Sequence, residues 1–245
     1  MKTTKIRVSH LMISNKSKIN KNIYFLLFKL KYLILSLKGK KNQLIVMRWI
    51  LVRNGEATHN VKKVYNTDPN HGNYKESTLT EKGKTNIEES RKLISCSIEN
   101  LFIVRAHCSP LPRSRASLHE MRSIIPPYIN DLNKHRDQLV DERLIEINAG
   151  SLEGKAVLKT DDDGTDSLHA VNFENYGGES VAQATERVKT FMSDVRAKIK
   201  EKGYTQYADV LIVTHGKICE IIHSLLNIKG EKLARGEITI YREKQ

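Results

Sequence analysis

The run of residues 210–214, which reads VLIVT, constrains the fold more than any other feature of the sequence. A strand whose consecutive residues are apolar is buried on both faces, which is typical of a parallel sheet covered by helices. Residues 49–53 (WILVR) and 101–106 (LFIVRA) are two further apolar runs, and a glycine or a proline follows each within a few residues. These runs predict three strands of one sheet.

Patterns typical of helices lie between the apolar runs. Thr80 is in position to cap a helix, and Ser180 with Gln183 has the spacing of a capping box. Apolar residues repeat at helical spacing after Ser180 and again after His215. The sequence therefore predicts an α/β fold, a three-layer sandwich with a mostly parallel central sheet. Helices are expected at residues 81–94, 113–124, 181–199 and 218–226, with a short strand at 141–146 and an edge strand at 237–242.

Charge divides the chain into two parts. Residues 1–46 contain 11 Lys and Arg and no acidic residue, whereas residues 47–245 hold 30 basic residues against 28 acidic ones. The second part is nearly neutral, which argues against nucleic-acid binding. Two lysines interrupt the apolar stretch 23–37, so a membrane span is disfavoured. We expect a basic leader at 1–46, disordered or not translated because Met47 directly precedes the first strand, and one domain at 47–245. A membrane-surface anchor and a targeting segment are the alternatives for the leader.

The cysteines indicate a reducing compartment. Cys96, Cys108 and Cys219 are odd in number and form no CxxC pair. Disulfide frameworks belong to oxidising compartments. We therefore expect a cytoplasmic protein.

Polar residues follow three of the predicted strands. Arg53 ends the first, Arg113 comes shortly after the second, and His215-Gly216 follows the run VLIVT. Ligands of open α/β sheets bind beyond the carboxyl ends of the strands. A guanidinium makes bidentate, charge-assisted bonds to phosphate oxygens, and a helix that starts after His215 favours an anion at its N-terminus. These residues predict a phosphate-binding pocket.

Six short motifs, in order along the chain, resemble those of the histidine phosphatase (phosphoglycerate mutase-like) family. The first resembles the family's Arg-His-Gly signature, except that asparagine stands at the histidine. The motifs are Arg53-Asn54-Gly55 with Asn60, Leu79-Thr80 with Gly83, Ser109-Pro110-Leu111-Pro112-Arg113, Leu144-Ile145-Glu146 with Gly150 and Glu153-Gly154, Gly178-Glu179-Ser180, and Thr214-His215-Gly216. The resemblance covers residues 47–242 and implies a phosphoglycerate mutase-like fold.

The resemblance also implies roles for individual residues. Arg53, Asn60 and Arg113 would hold the phosphoryl group, and Gly216 would line its site. His215 would donate a hydrogen bond from the opposite side. Glu146 would be the general acid that protonates the leaving oxygen. No metal and no cofactor are expected, and the ligand would be a small phosphorylated molecule or a phosphoprotein. The phosphatase branch fits better than the glycolytic mutases, because the loop after Asn60 lacks a Gly-Trp segment.

The family's reaction passes through a phosphohistidine, and Asn54 occupies that position. A carboxamide nitrogen is not basic, because its lone pair is delocalised, so it cannot act as the nucleophile. It can still donate a hydrogen bond to phosphate. One interpretation is a phosphate- or phospho-ligand-binding member of the family that is catalytically impaired. The other is an active phosphomonoesterase with a residual or rerouted mechanism, for example through His215.

The remaining polar residues have simpler interpretations. By the resemblance, His59 takes the place of a bulky packing residue. Cys108 is expected to be a buried, inert thiol, and His107 and His223 to be packed or surface histidines. Residues 161–166 (DDDGTD) lack the alternate ligand spacing and the distal Glu of a calcium loop, which predicts a solvated acidic loop.

Overall fold

One five-stranded sheet forms the centre of the protein. The computed structural model describes residues 5–6, 46–98, 101–126, 139–158, 171–202, 207–228 and 232–244. The strands lie side by side in the order β1-β5-β2-β4-β3. Strands β2, β3 and β4 are parallel, while β5 runs antiparallel to β2. Their bounds are β1 Lys5–Ile6, β2 Val46–Arg53, β3 Ile103–Cys108, β4 Tyr207–Thr214 and β5 Ile238–Lys244.

Helices cover both faces of the sheet. Along β2, Met47, Trp49 and Leu51 pack on one face, with α4 and α5, and Ile50 and Val52 pack on the other, with α2 and α3. This alternation is the period of a strand buried on both sides, and it confirms the predicted three-layer sandwich. The helices are α1 Thr58–Lys62, α2 Glu81–Ser97, α3 Pro112–Glu120, α4 Val181–Lys202 and α5 Gly216–Leu225.

The two predicted helix caps are present. The Thr80 hydroxyl accepts a hydrogen bond from the Gly83 amide at 3.0 Å, at the start of α2. The Ser180 hydroxyl accepts from the Gln183 amide at 3.0 Å, and the Gln183 side chain accepts from the Ser180 amide at 2.8 Å. Each pair satisfies amides that have no partner inside the helix. The sequence thus located both N-termini correctly.

The predicted strand at 141–146 is wrong. The Asp141 carboxylate accepts a hydrogen bond from the Arg143 amide, and a 3-10 helix spans Glu142–Leu144. A short polar side chain that bonds to nearby backbone competes with ladder formation. In the described part of this segment, which begins at residue 139, only Val140 bridges to β3, through Cys108. The chain therefore turns here and carries Glu146 to the carboxyl end of the sheet.

Part of the predicted leader joins the sheet. Lys5 and Ile6 pair antiparallel with Tyr241 and Ile240 of β5, so β5 has a two-residue neighbour on its outer side. The rest of the leader, apart from Val46, and the acidic loop at 161–166 lie outside the described residues. The predictions for both stay predictions. Among the residues described, no helix has the length and apolarity needed to cross a bilayer.

Candidate active site

A cavity of about 90 Å³ lies where the parallel strands end. Because β2, β3 and β4 are parallel, their carboxyl ends meet at one edge of the sheet. The loop before the antiparallel strand β5 reaches the same edge. The lining side chains used below are Arg53, His59, Asn60, Lys63, Asn66, Arg113, Glu146, Phe173, Lys217 and Arg235.

The described part of the cavity wall is strongly cationic. Five basic side chains line it, and Glu146 is the one acidic residue among those described. The first residues of α5, Gly216 and Lys217, also line it, so the positive end of the helix dipole points to the same space. The Lys217 ammonium lies 4.7 Å from the centre of the Phe173 ring, which is close enough for a cation–π contact. The cavity favours an anion.

Arg53 ends β2 and crosses in front of α5. Its Nη1 donates a hydrogen bond to the Leu233 carbonyl at 2.6 Å. A Cβ atom on Gly216 would lie 2.9 Å from the Arg53 Cζ. Glycine at 216 therefore lets the guanidinium lie against the start of the helix.

Arg113 lies in the first turn of α3 and is almost fully buried. Its Nη1 and Nη2 donate to the side-chain and main-chain oxygens of Asn66, both at 2.8 Å. Burial lowers the pKa of Arg113 to about 10, and the nearby Glu146 carboxylate opposes the change. The guanidinium therefore stays charged at neutral pH, and its two bonds to Asn66 fix its orientation.

Asn54 and His215 lie beneath the cavity and not on its described wall. The Asn54 Nδ2 donates to the Gly55 carbonyl at 2.8 Å, which leaves Oδ1 to accept from His215 Nδ1 at 3.0 Å. His215 Nε2 then accepts from the Ser109 hydroxyl at 2.6 Å. Burial, with Arg113 nearby, lowers the pKa of His215 well below its usual value. His215 is thus a neutral imidazole with both nitrogens engaged.

Glu146 lies on the cavity wall. Its Oε1 accepts from the Ile147 amide at 3.0 Å. Burial raises the pKa of Glu146, and the Lys217 ammonium opposes the rise. A carboxyl group with a raised pKa suits a general acid. Glu146 also faces a neighbouring groove, lined in part by Asp68 and Asn148, so it stands between two spaces.

His59 lines the cavity, although the sequence favoured a packing role. It is the second residue of α1, and its Nδ1 lies 2.7 Å from the Ser77 hydroxyl. Its Nε2 lies 2.9 Å from the Asn60 Nδ2. Burial lowers the pKa of His59 to about 2, and Arg113, Arg235 and Arg53 contribute in that order. The ring is neutral at any physiological pH.

The structure brings most of the predicted site together. Arg53, Asn60, Arg113, Glu146 and Gly216 all line the cavity. Sequence reasoning missed three basic residues of the wall, which are Lys63, Lys217 and Arg235. Lys217 directly follows the predicted anion site at the start of α5, so its position was a usable signal. Arg235 had no local signal, because it reaches the cavity only through the antiparallel pairing of β5.

The other singled-out residues lie away from the cavity. Burial raises the pKa of Cys108 to about 12, which agrees with an inert thiol. His107 is buried with its ring edge-on to Phe191 at 5.1 Å. His223 Nε2 lies 3.3 Å from the Thr239 hydroxyl. Within the described ranges, no cluster of His, Cys, Asp and Glu has the arrangement of a metal site.

Comparison with known proteins adds a family match and structural neighbours. The histidine phosphatase superfamily (branch 1) model matches residues 49–240. YhfR from Bacillus stearothermophilus is 20% identical, with a TM-score of 0.53 over 79% of this chain and 90% of that chain. The alpha-ribazole phosphatase from Shigella flexneri is also 20% identical, with a TM-score of 0.52 over 79% of this chain and 89% of that chain. No curated protein sequence matches the chain. At this identity the neighbours confirm the fold.

Proposed function

Because the chain belongs to the histidine phosphatase superfamily (branch 1), we propose that its cavity binds the phosphoryl group of a small phosphorylated molecule or a phosphoprotein. The observation that carries this proposal is the convergence of Arg53, Arg113 and Asn60 with the start of α5 on one cavity. Guanidinium groups and free helix amides are the usual ligands of a phosphate dianion.

Unpaired thiols support a cytoplasmic location, since Cys96 is exposed and Cys108 and Cys219 are buried.

We further propose that turnover is impaired at residue 54. By the family resemblance, the histidine that accepts the phosphoryl group in the family stands at this position. The amide side chain of Asn54 cannot form the phosphohistidine intermediate. The hydrogen bonds of Asn54 support the proposal. Its Nδ2 and Oδ1 are both used, by the Gly55 carbonyl and by His215. Asn54 therefore fixes the orientation of the His215 ring and keeps a proton on its Nδ1.

Glu146 favours a second candidate, a phosphomonoesterase with residual or rerouted turnover. An ionised carboxylate in an anion site repels the ligand, so a site that only binds phosphate gains nothing from it. A protonated carboxyl is useful if an ester bond is to be broken, because it can protonate the leaving oxygen. The raised pKa of Glu146 keeps this group available as an acid.

Calorimetric titration with inorganic phosphate tests the binding proposal. We expect saturable binding at one site, lost in Arg53→Ala, with sodium chloride at equal ionic strength as the control. Turnover of p-nitrophenyl phosphate is measured on the same sample and is expected to be slow. No heat of binding up to millimolar phosphate would contradict the proposed function, and rapid turnover would favour the second candidate over impairment.

A further inference from the structure

His59 is the one imidazole on the described part of the cavity wall. His215 lies beneath the cavity, tied to Asn54 and Ser109, whereas His59 is partly exposed and faces the cavity together with Arg53 and Arg113. A side chain must reach the phosphorus atom to act as a nucleophile. Only His59 combines a ring nitrogen with a place on this wall.

The hydrogen bonds around His59 identify which nitrogen carries the lone pair. The Asn60 Oδ1 accepts from the Ala57 amide at 2.9 Å, which assigns the Asn60 amide orientation. The Asn60 Nδ2 is therefore a donor, and His59 Nε2 must accept from it at 2.9 Å. The ring proton is then on Nδ1, where it is donated to the Ser77 hydroxyl at 2.7 Å. This tautomer directs the lone pair of Nε2 toward Asn60, which also lines the cavity.

We propose that His59 Nε2 accepts the phosphoryl group in the residual turnover of this protein. The proposal rests on phosphate binding as proposed above and adds the identity of the nucleophile. In the first step the Nε2 lone pair forms a bond to phosphorus, the ester P–O bond breaks, and Glu146 gives its proton to the leaving oxygen. In the second step water attacks phosphorus, Glu146 takes a proton from the water, and the P–N electron pair returns to Nε2.

The charges of the wall act on this intermediate in two ways. The arginines attract the negative phosphoryl group, but attack by Nε2 with the proton still on Nδ1 gives the ring a positive charge, which they oppose. Before attack the ring is neutral and has a lone pair at every working pH. Its low basicity makes it a weak nucleophile, so we expect turnover through His59 to be slow.

Asn60 connects binding to attack. Its Nδ2 donates a hydrogen bond to the lone pair of His59 Nε2. A bound phosphoryl oxygen is a charged acceptor, which forms a stronger hydrogen bond than a neutral imidazole does. When the ligand binds, the Asn60 Nδ2 donates its hydrogen bond to the phosphoryl group, and the lone pair of His59 Nε2 becomes free to attack.

Mapping of the phosphorylated residue tests the proposal on the full chain. The protein is incubated with p-nitrophenyl phosphate, quenched in alkali, and digested for mass spectrometry, because phosphohistidine is labile in acid and stable in alkali. We expect the phosphoryl group on His59. His59→Gln should reduce nitrophenolate release to that of the buffer blank and keep the rise in melting temperature given by inorganic phosphate. His119→Gln, an exposed histidine on α3, is the matched control and should behave as the unmutated protein.

Three results would overturn the assignment while leaving phosphate binding intact. They are a phosphoryl group on His215 or another residue, unchanged turnover in His59→Gln, and the absence of both turnover and phosphorylation in the unmutated protein.

If His59→Gln does not fold, Ser77→Ala serves instead. It removes the acceptor of the Nδ1 proton and should slow turnover at least tenfold without loss of phosphate binding, and an unchanged rate would count against His59.

Discussion

Replacing Arg113 with alanine should abolish most of the stabilisation that phosphate gives to the protein. A ligand that binds only the folded state, at a hundred times its dissociation constant, adds about 2.7 kcal/mol to the free energy of unfolding. For a domain of this size, 1 kcal/mol corresponds to about 2–4 °C in melting temperature. Phosphate at that concentration should therefore raise the melting temperature of the unmutated protein by roughly 5–10 °C.

The loss expected in Arg113→Ala follows from the burial of the guanidinium. Arg113 is only 2% exposed and remains charged, since its pKa is lowered only to about 10. Truncating one partner of a buried, charged hydrogen-bonded pair costs about 2–5 kcal/mol. The dissociation constant for phosphate should then rise about 30-fold or more. At the same phosphate concentration the stabilisation falls below about 1 kcal/mol, or less than about 4 °C.

Differential scanning fluorimetry with and without phosphate measures this effect, and each variant serves as its own reference. Arg115→Ala is the matched control, because Arg115 lies on the same helix with the same charge but is exposed. It should keep the full shift. If Arg113→Ala keeps the full shift, or if both variants lose it equally, the phosphate does not bind in the cavity described above and the reasoning is wrong.

Three further predictions concern the fold. Gly83→Ala should lower the free energy of unfolding by about 1–3 kcal/mol in urea denaturation, because the new methyl group would overlap the Glu56 carbonyl next to the site. The free energy of unfolding of the unmutated protein should fall as the pH falls from 6.5 through about 4, because burial lowers the pKa of His107 to about 4 and the unfolded chain binds the proton first. His107→Leu should reduce the slope of the free energy of unfolding against pH by up to about 1.4 kcal/mol per pH unit. An unchanged slope would exclude His107 as its source. Deletion of residues 1–46 should lower the melting temperature by less than about 2 °C; a larger loss would mean that the deleted residues, among them Lys5 and Ile6 beside β5 and Val46 at the start of β2, stabilise the fold.

Local chemistry explains why much of the fold was predictable. The caps at Thr80 and Ser180 depend on residues three positions apart, and the alternation along β2 depends on neighbours in sequence. The predicted strand at 141–146 was wrong because the Asp141 side chain competes with the ladder for the Arg143 amide. That competition is also local, but the apolar pattern alone does not reveal it.

The composition of the site was predictable only in part. Arg53, Arg113 and Gly216 were identified by their type and their position after the strands. Glu146 was identified by the family resemblance alone. All four reach the cavity. Arg235 was missed because its approach depends on the pairing of β5 with β2, more than 180 residues apart in sequence. The sequence did not indicate that His59 lines the cavity for a related reason, since this depends on where the short helix α1 lies in the fold.

Steady-state turnover of p-nitrophenyl phosphate by the unmutated protein beside Asn54→His tests the central claim most directly. Loss of one member of a catalytic unit has cost about 10⁶-fold in a serine protease, so we expect the histidine variant to be at least about 10²-fold faster even with imperfect geometry. Asn54→Gln gives residue 54 a larger side chain, as histidine does, but no basic nitrogen, so its turnover should stay slow. Rapid turnover by the unmutated protein, or a histidine variant that binds phosphate and is no faster, would contradict the claim that residue 54 limits catalysis.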